Sequence, residues 1–395
     1  MTTSGSTPTT GPDTPILHVA VGVLRRADGR VLVADRDAAR HAGGGLEFPG
    51  GKIEPGESVE AGLARELAEE LGVHVAASRP LLRLRHDYPE RRVELHVRLV
   101  DAWTGQPTGR EGQPVHWRAP AALETDEFPA ANRPIIAALR WPARLRVTPA
   151  ITASEDVSGL VERVIAAGES GDWIQVRAPE LGPTDWRNLV ERIRAGVDAT
   201  AATRILLNTT PDDPLIAATG FGLHLRAAHL RPDDAKRWQD PTLVGEDAKP
   251  SQDPNLVGED SRPSQEPNQV GEDSRPSQEP SLVGGDSRPS QEPSQVGASL
   301  LANNQRPRVL TCAAHTPNDL QAAQRLGVDF AVVGNVRATA SHPGRAGIGW
   351  AALGALTATT SVPVYAIGGV TPHDLGAARD RGAVGVAGIS AFWSD

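Results

Sequence analysis

The chain is short of cysteine, of long apolar runs and of net positive charge, and each shortage excludes something. A single cysteine, Cys312, in 395 residues rules out an internal disulfide framework and fits a reducing compartment, so a cytoplasmic location is expected. No apolar stretch reaches the roughly 20 residues that a membrane-spanning helix needs. Residues 1–15 are rich in Thr, Ser, Gly and Pro without a basic or apolar core, which reads as a disordered tail and not a signal peptide. A net charge of −9 and a pI near 5.7 argue against nucleic acid polymers or membrane surfaces as general partners. The length exceeds what one ordinary core supports, so two domains are expected.

What the chain does have is an acidic helix of regular spacing. Gly51-Lys52-Ile53-Glu54-Pro55-Gly56-Glu57 leads into Ser58, and Arg65-Glu66-Leu67-Ala68-Glu69-Glu70-Leu71-Gly72-Val73 closes the stretch. Ser58 has the chemistry of an N-cap and Gly72 that of the residue past a helix end. Glu66, Glu69 and Glu70 at i, i+3 and i+4 fall on one helix face, while Leu63, Leu67 and Leu71 form the anchoring stripe. Like charges at i, i+4 cost a bare helix roughly 0.2–0.5 kcal/mol per pair. A divalent cation would remove that cost, and oxygen ligands without Cys or His point to Mg²⁺, with Mn²⁺ as the alternative. A merely solvated acidic face is the competing reading. Gly50 and Gly51 would let backbone approach the ion closely.

Around this helix, His18-Val19-Ala20-Val21-Gly22-Val23-Leu24 and Val31-Leu32-Val33 suggest strands joined by the turn Ala27-Asp28-Gly29, and residues 93–100 suggest another. A helix from about Asn132 to Leu139 closes the first unit, expected over residues 16–141, with a boundary at Trp141-Pro142. From Leu145 the pattern becomes short apolar runs alternating with helical stretches, the mark of a parallel sheet. Eight candidate strands begin near Leu145, Ile174, Ile205, Gly222, Val309, Phe330, Val364 and Val384, which predicts a (β/α)8 barrel over residues 145–395. Residues 240–305 interrupt it with a thirteen-residue repeat that sets Val244, Val257, Val270, Val283 and Val296 in register. Two prolines and one aliphatic patch per unit offer too little apolar surface to offset chain entropy, so a disordered insertion is expected.

The Gly51–Val73 stretch resembles the Nudix box, and the likeness to the MutT-type branch of the Nudix hydrolase family extends beyond it. Leu46-Glu47-Phe48-Pro49-Gly50-Gly51-Lys52-Ile53-Glu54, Arg110-Glu111-Gly112-Gln113-Pro114 with Trp117, and Phe128-Pro129-Ala130-Ala131-Asn132-Arg133-Pro134 carry it. The resemblance implies an α/β/α sandwich with a mixed sheet and a Mg²⁺-dependent pyrophosphohydrolase of oxidised purine nucleoside triphosphates, converting 8-oxo-dGTP to 8-oxo-dGMP and pyrophosphate. It implies metal contacts from Glu66, Glu69, Glu70, the Gly50 carbonyl and Glu111, with Glu66 also the base that activates water and Glu57 and Arg65 in support. Substrate contacts would come from Arg36, Phe48, Gly51, Lys52 and Asn132, whose amide can both donate to and accept from a purine edge. For Asn132, capping of the helix that follows is the competing reading. For Glu111 and Arg36 it is simple solvent exposure.

The second half is similar to the thiamine phosphate synthase and thiazole tautomerase family. The carrying motifs are Ile174-Gln175-Val176-Arg177, Leu206-Leu207-Asn208, Gly222-Leu223-His224-Leu225, Ala314-His315, Val333-Gly334-Asn335-Val336, Ala366-Ile367-Gly368-Gly369 and Val386-Ala387-Gly388-Ile389-Ser390. By that likeness Gly368, Gly369, Ile389 and Ser390 would hold a phosphate after the seventh and eighth strands, where barrels commonly do so. A purely structural tight turn is the alternative for the glycine pair. The synthase pattern wants a lysine where Ala178-Pro179-Glu180 stands and acids where Thr209 and His229 stand, and a tautomerase wants a histidine where Asn335 stands. His342 is a lone loop histidine. The barrel is therefore expected to bind a thiazole phosphate or thiamine phosphate ligand, as a regulatory module or as a thiamine-biosynthetic catalyst.

Overall fold

The computed structural model describes residues 15–36, 45–87, 92–151, 156–230, 307–339, 344 and 346–393. The expected tail, except Pro15, the 240–305 repeat, His342 and Gly43-Gly44 lie outside the described residues.

The first unit is built on two sheets. Strand β1 (Ile16–Leu24) is flanked by β4 (Gly50–Lys52) and β6 (Arg92–Thr104), with β5 (His74–Asp87) beyond β6. β1 runs antiparallel to β4 but parallel to β6 over its whole length, from Ile16↔Arg92 to Leu24↔Val100, so the sheet is mixed as expected. The second sheet is β3-β2-β7, made of β2 (Val31–Asp35), β3 (Leu46–Glu47) and β7 (Val115–Arg118). The two strands expected around Ala27-Asp28-Gly29 thus separate into different sheets, touching at one bridge, Arg25↔Val31. The reason is that both edges of β1 are already taken, by β4 and β6.

Alternation along β1 and β6 explains the layering. Ala20, Leu24 and Val100 face helix α1 (Val59–Leu71), where Leu63, Leu67 and Leu71 are wholly buried with them. Val21, Val23, Val93, Val97 and Leu99 face the opposite side, where Ile135 and Ile136 of α2 (Arg133–Arg140) pack. One helix on each face is the sandwich that the Nudix resemblance implies.

In the second unit the eight strands β8 (Arg144–Val147), β9 (Trp173–Val176), β10 (Ile205–Leu207), β11 (Gly222–Leu225), β12 (Leu310–Ala314), β13 (Phe330–Val333), β14 (Val364–Ile367) and β15 (Gly385–Gly388) close a barrel. Every neighbouring pair is parallel. Between β14 and β15 a 3-10 turn, Pro372–Asp374, leads into a short α-helix, Leu375–Arg379.

The expected boundary at Trp141-Pro142 is a packed plug and not a free linker. The Trp141 ring meets Trp173 edge-on at 6.2 Å and Phe330 at 5.6 Å, and the Tyr365 hydroxyl donates to the Pro142 carbonyl. These rings sit at the N-terminal ends of β8, β9, β13 and β14, and one apolar cluster runs from Val21 and Ile135 through to Trp173, Phe330 and Tyr365. The first unit therefore seals the N-terminal end of the barrel, leaving the C-terminal end, where barrel sites are built, uncovered by it.

Candidate active site

The local sequence shapes α1 at both ends. The Ser58 hydroxyl accepts from the Ala61 N–H, and Gly72 closes the helix in the left-handed conformation at φ 71°. The last turn contains no basic residue; the loop after β6 supplies one. Arg110 donates through its backbone N–H to the Glu70 carbonyl at 2.8 Å and through its guanidinium to the Ala68 carbonyl at 3.2 Å. Gln113 donates to the same Glu70 carbonyl and accepts from the Glu111 N–H at 2.9 Å. These clips bring the exposed Glu111 close enough to Glu70 to raise its pKa.

Arg65 is the hub of the acidic face. Its guanidinium donates to Glu57 twice, at 3.2 and 3.1 Å, to Glu66 at 2.8 Å, to Glu69 at 3.3 Å and to the Lys52 carbonyl at 2.8 Å. The paired hydrogen bonds from Arg65, then the Glu54 N–H, hold the Glu57 carboxyl below its ordinary range. Arg65 in turn is held above its ordinary pKa by Glu57 and Glu66. The guanidinium therefore locks the 52–57 loop onto the helix as a rigid edge.

Glu70 lives differently. Burial, opposed by the 2.9 Å hydrogen bond from the Gly50 N–H and reinforced by Glu66, Glu47 and Glu111, pushes its carboxyl up to about 7. The backbone beneath these acids leaves no room for side chains. A Cβ at Gly51 would overlap the Glu66 carboxylate, and one at Gly50, whose φ is 142°, would overlap the Ala20 carbonyl. A half-buried carboxylate surrounded by carboxylates, over a strand stripped to glycine, suits a hard divalent ion supplied with oxygen donors only. Arg65 engages one oxygen each of Glu66 and Glu69, and the Gly50 N–H one oxygen of Glu70, so each carboxylate can turn its second oxygen to an ion.

The remaining expected residues line the same region unevenly. Arg36 is tied to Glu47 at 3.1 Å, and Glu47 is a neighbour of Glu70 that sequence reasoning left without a role. The alternation of β3, which buries Leu46 and leaves Glu47 partly exposed, is the signal that could have found it. Phe48 is 5% exposed with its ring stacked on Phe128 at 5.4 Å, so it stiffens the wall from behind. Lys52 is exposed. Asn132 precedes α2 but its side chain makes no capping bond there, which removes the competing reading and leaves its amide half-exposed.

In the barrel, Gly368-Gly369 follows β14 and Ile389-Ser390 follows the adjacent β15, so the four expected phosphate residues are brought to neighbouring strand ends. A Cβ on Gly368 would meet Asn335, and one on Gly369 the Ala338 carbonyl, which shows that packing also requires these glycines. Thr209 donates to Asp213 at 2.6 Å, and His229 is buried.

Comparison with known proteins finds a separate match in each unit. Residues 20–138 match the NUDIX domain family and residues 298–392 match thiamine monophosphate synthase. The 8-oxo-dGTP diphosphatase of Escherichia coli (strain K12) is 41% identical over 124 residues, covering 31% of this chain and 96% of that protein. The 8-oxo-dGTP diphosphatase of Haemophilus influenzae is 37% identical over 124 residues, covering 31% of this chain and 91% of that protein. Among solved structures, a thiamine phosphate pyrophosphorylase from Pyrococcus furiosus covers 68% of this chain and 91% of its own at 15% identity, with a TM-score of 0.39.

Proposed function

We propose, because this chain belongs through its first unit to the Nudix hydrolase family, that this unit hydrolyses oxidised purine nucleoside triphosphates, with 8-oxo-dGTP going to 8-oxo-dGMP and pyrophosphate. The observation that carries the reading is the acidic face of α1, with Glu66 over Gly51, Glu70 half-buried and bonded to the Gly50 N–H, and Arg65 tying Glu57, Glu66 and Glu69 together. Mg²⁺ or Mn²⁺ would be held by Glu66, Glu69, Glu70, the Gly50 carbonyl and Glu111. When bound, the ion supplies charge neutralisation on the phosphate oxygens and lowers the pKa of water.

The protein's own groups do the rest. Glu66, fixed by Arg65, accepts the proton of the attacking water at a carboxylate oxygen, and the water oxygen adds in line to phosphorus as the α–β phosphoanhydride bond breaks, giving the monophosphate and pyrophosphate. Arg65 keeps the loop carrying Lys52 against the helix, so the phosphate tail meets a preorganised edge. The Asn132 amide reads the oxidised purine, and Arg36 with Glu47 borders the base or sugar. Turnover with Mg²⁺ of 8-oxo-dGTP against dGTP tests this: a large preference for the oxidised nucleotide is expected, and equal kcat/KM values would remove the base-reading claim.

For the barrel the favoured reading is a binding module for a phosphate ester such as thiazole phosphate or thiamine phosphate. The strand ends at Gly368-Gly369 and Ile389-Ser390 support it. Ala178 and Thr209, standing where a pyrophosphate complex needs a cation and an acid, weigh against synthase turnover. Thiamine phosphate should raise the melting temperature without being consumed; synthase turnover would overturn this reading.

A further inference from the structure

On the face of the first sheet that carries α1, His18 of β1 stands in register with Glu94 of β6, and His96 lies two residues further along β6 on the same face. Among the described residues, these three form the one group of His, Cys, Asp or Glu side chains whose ligand atoms all lie within 4.8 Å of one another. The His18 Nδ1 and His96 Nε2 atoms are 3.1 Å apart, His96 Nε2 is 3.3 Å from Glu94 Oε1, and His18 Nδ1 is 3.6 Å from that same oxygen. Ligands about 2.0–2.1 Å from a tetrahedral zinc ion are separated by about 3.3–3.4 Å. The three atoms therefore already outline one face of a zinc-sized tetrahedron, without rearrangement of the strands that hold them.

We propose that His18, Glu94 and His96 form a second metal site, distinct from the acidic helix, for a zinc-class transition dication bound by two imidazoles and one carboxylate with a fourth position open. Nitrogen donors separate it in kind from the all-oxygen set on α1, so the two sites prefer different metals. Arg83 approaches Glu94 only to 3.8 Å and its Nε is engaged by the Asp380 carbonyl, so the carboxylate keeps lone pairs for an ion. His96 also lines a groove of about 270 Å³ together with Val59, Glu60, Arg98 and, from the barrel, Asp380 and Arg381. The site thus stands where the two units meet, and metal there would stabilise the fold that presents it.

The test uses the full chain, stripped by chelator and kept in excess Mg²⁺ to occupy oxygen sites, and titrated with Co²⁺. One equivalent should develop the intense visible absorption of a four-coordinate ion, and Zn²⁺ should abolish it by displacement. His18→Gln and His96→Gln should each weaken Co²⁺ binding about 100-fold while melting like the metal-free parent. A Glu66→Gln/Glu69→Gln chain should keep the band. A band that survives both histidine changes, a band lost with the α1 carboxylates, or only the weak absorption of a six-coordinate ion would overturn the proposal.

Discussion

The Glu70 carboxylate accepts a 2.9 Å hydrogen bond from the Gly50 backbone N–H, which ties the last turn of α1 to β4. That bond opposes but does not cancel the burial that carries the Glu70 pKa from 4.5 to about 7. A carboxyl whose folded pKa is raised costs the fold nothing below about 4.5, a growing amount between 4.5 and 7, and a constant amount above. In the metal-free protein Glu70→Gln should therefore raise stability at pH 8 by up to about 3 kcal/mol and leave it unchanged near pH 4. The same variant should lose most Mg²⁺-dependent turnover. Denaturant melts at the two pH values check the sign.

Gly51 has no space above it other than that filled by Glu66. Gly51→Ala should displace that carboxylate while leaving the anchoring leucines in place, lowering kcat about 100-fold with a change in stability of only about 1–2 kcal/mol. Steady-state kinetics beside a thermal melt separates the two effects.

Asn132 begins α2 without capping it. Asn132→Ala should accordingly change stability by less than about 0.5 kcal/mol, whereas true N-caps lose about 1. Its kcat/KM for 8-oxo-dGTP should fall about 10–100-fold, with less change for dGTP. Parallel losses on both nucleotides would assign Asn132 to the fold.

Trp141 joins the two units through Trp173 and Phe330. Trp141→Ala should cost about 2–3 kcal/mol, below the cost of a fully buried tryptophan because the ring is partly exposed. It should also separate what is expected to be one unfolding transition into two, read by calorimetry.

Regular spacing made the acidic helix and its caps legible, because Ser58, Gly72 and the leucine stripe each act locally. The barrel strands were legible for a similar reason: strands buried on both faces read as short apolar runs. What the sequence hid was non-local. The parting of β1 from β2 depends on β6 claiming one edge of β1. Glu47 joined the electrostatics of Glu70 only through folding, and nothing in the spacing of His18 and His96 foretells that parallel pairing brings them within 3.1 Å. Trp141 looked like punctuation because an aromatic before proline gives no sign of which ring it will meet.

If the acids of α1 run a metal-dependent pyrophosphohydrolase, removing one of them stops turnover. The most direct measurement is Mg²⁺-dependent release of pyrophosphate from 8-oxo-dGTP by the parent chain and by Glu69→Gln, whose exposed side chain leaves the core untouched. A loss of about 100-fold or more in kcat at an unchanged melting temperature is predicted. Equal rates in the two proteins would place the chemistry elsewhere in the molecule.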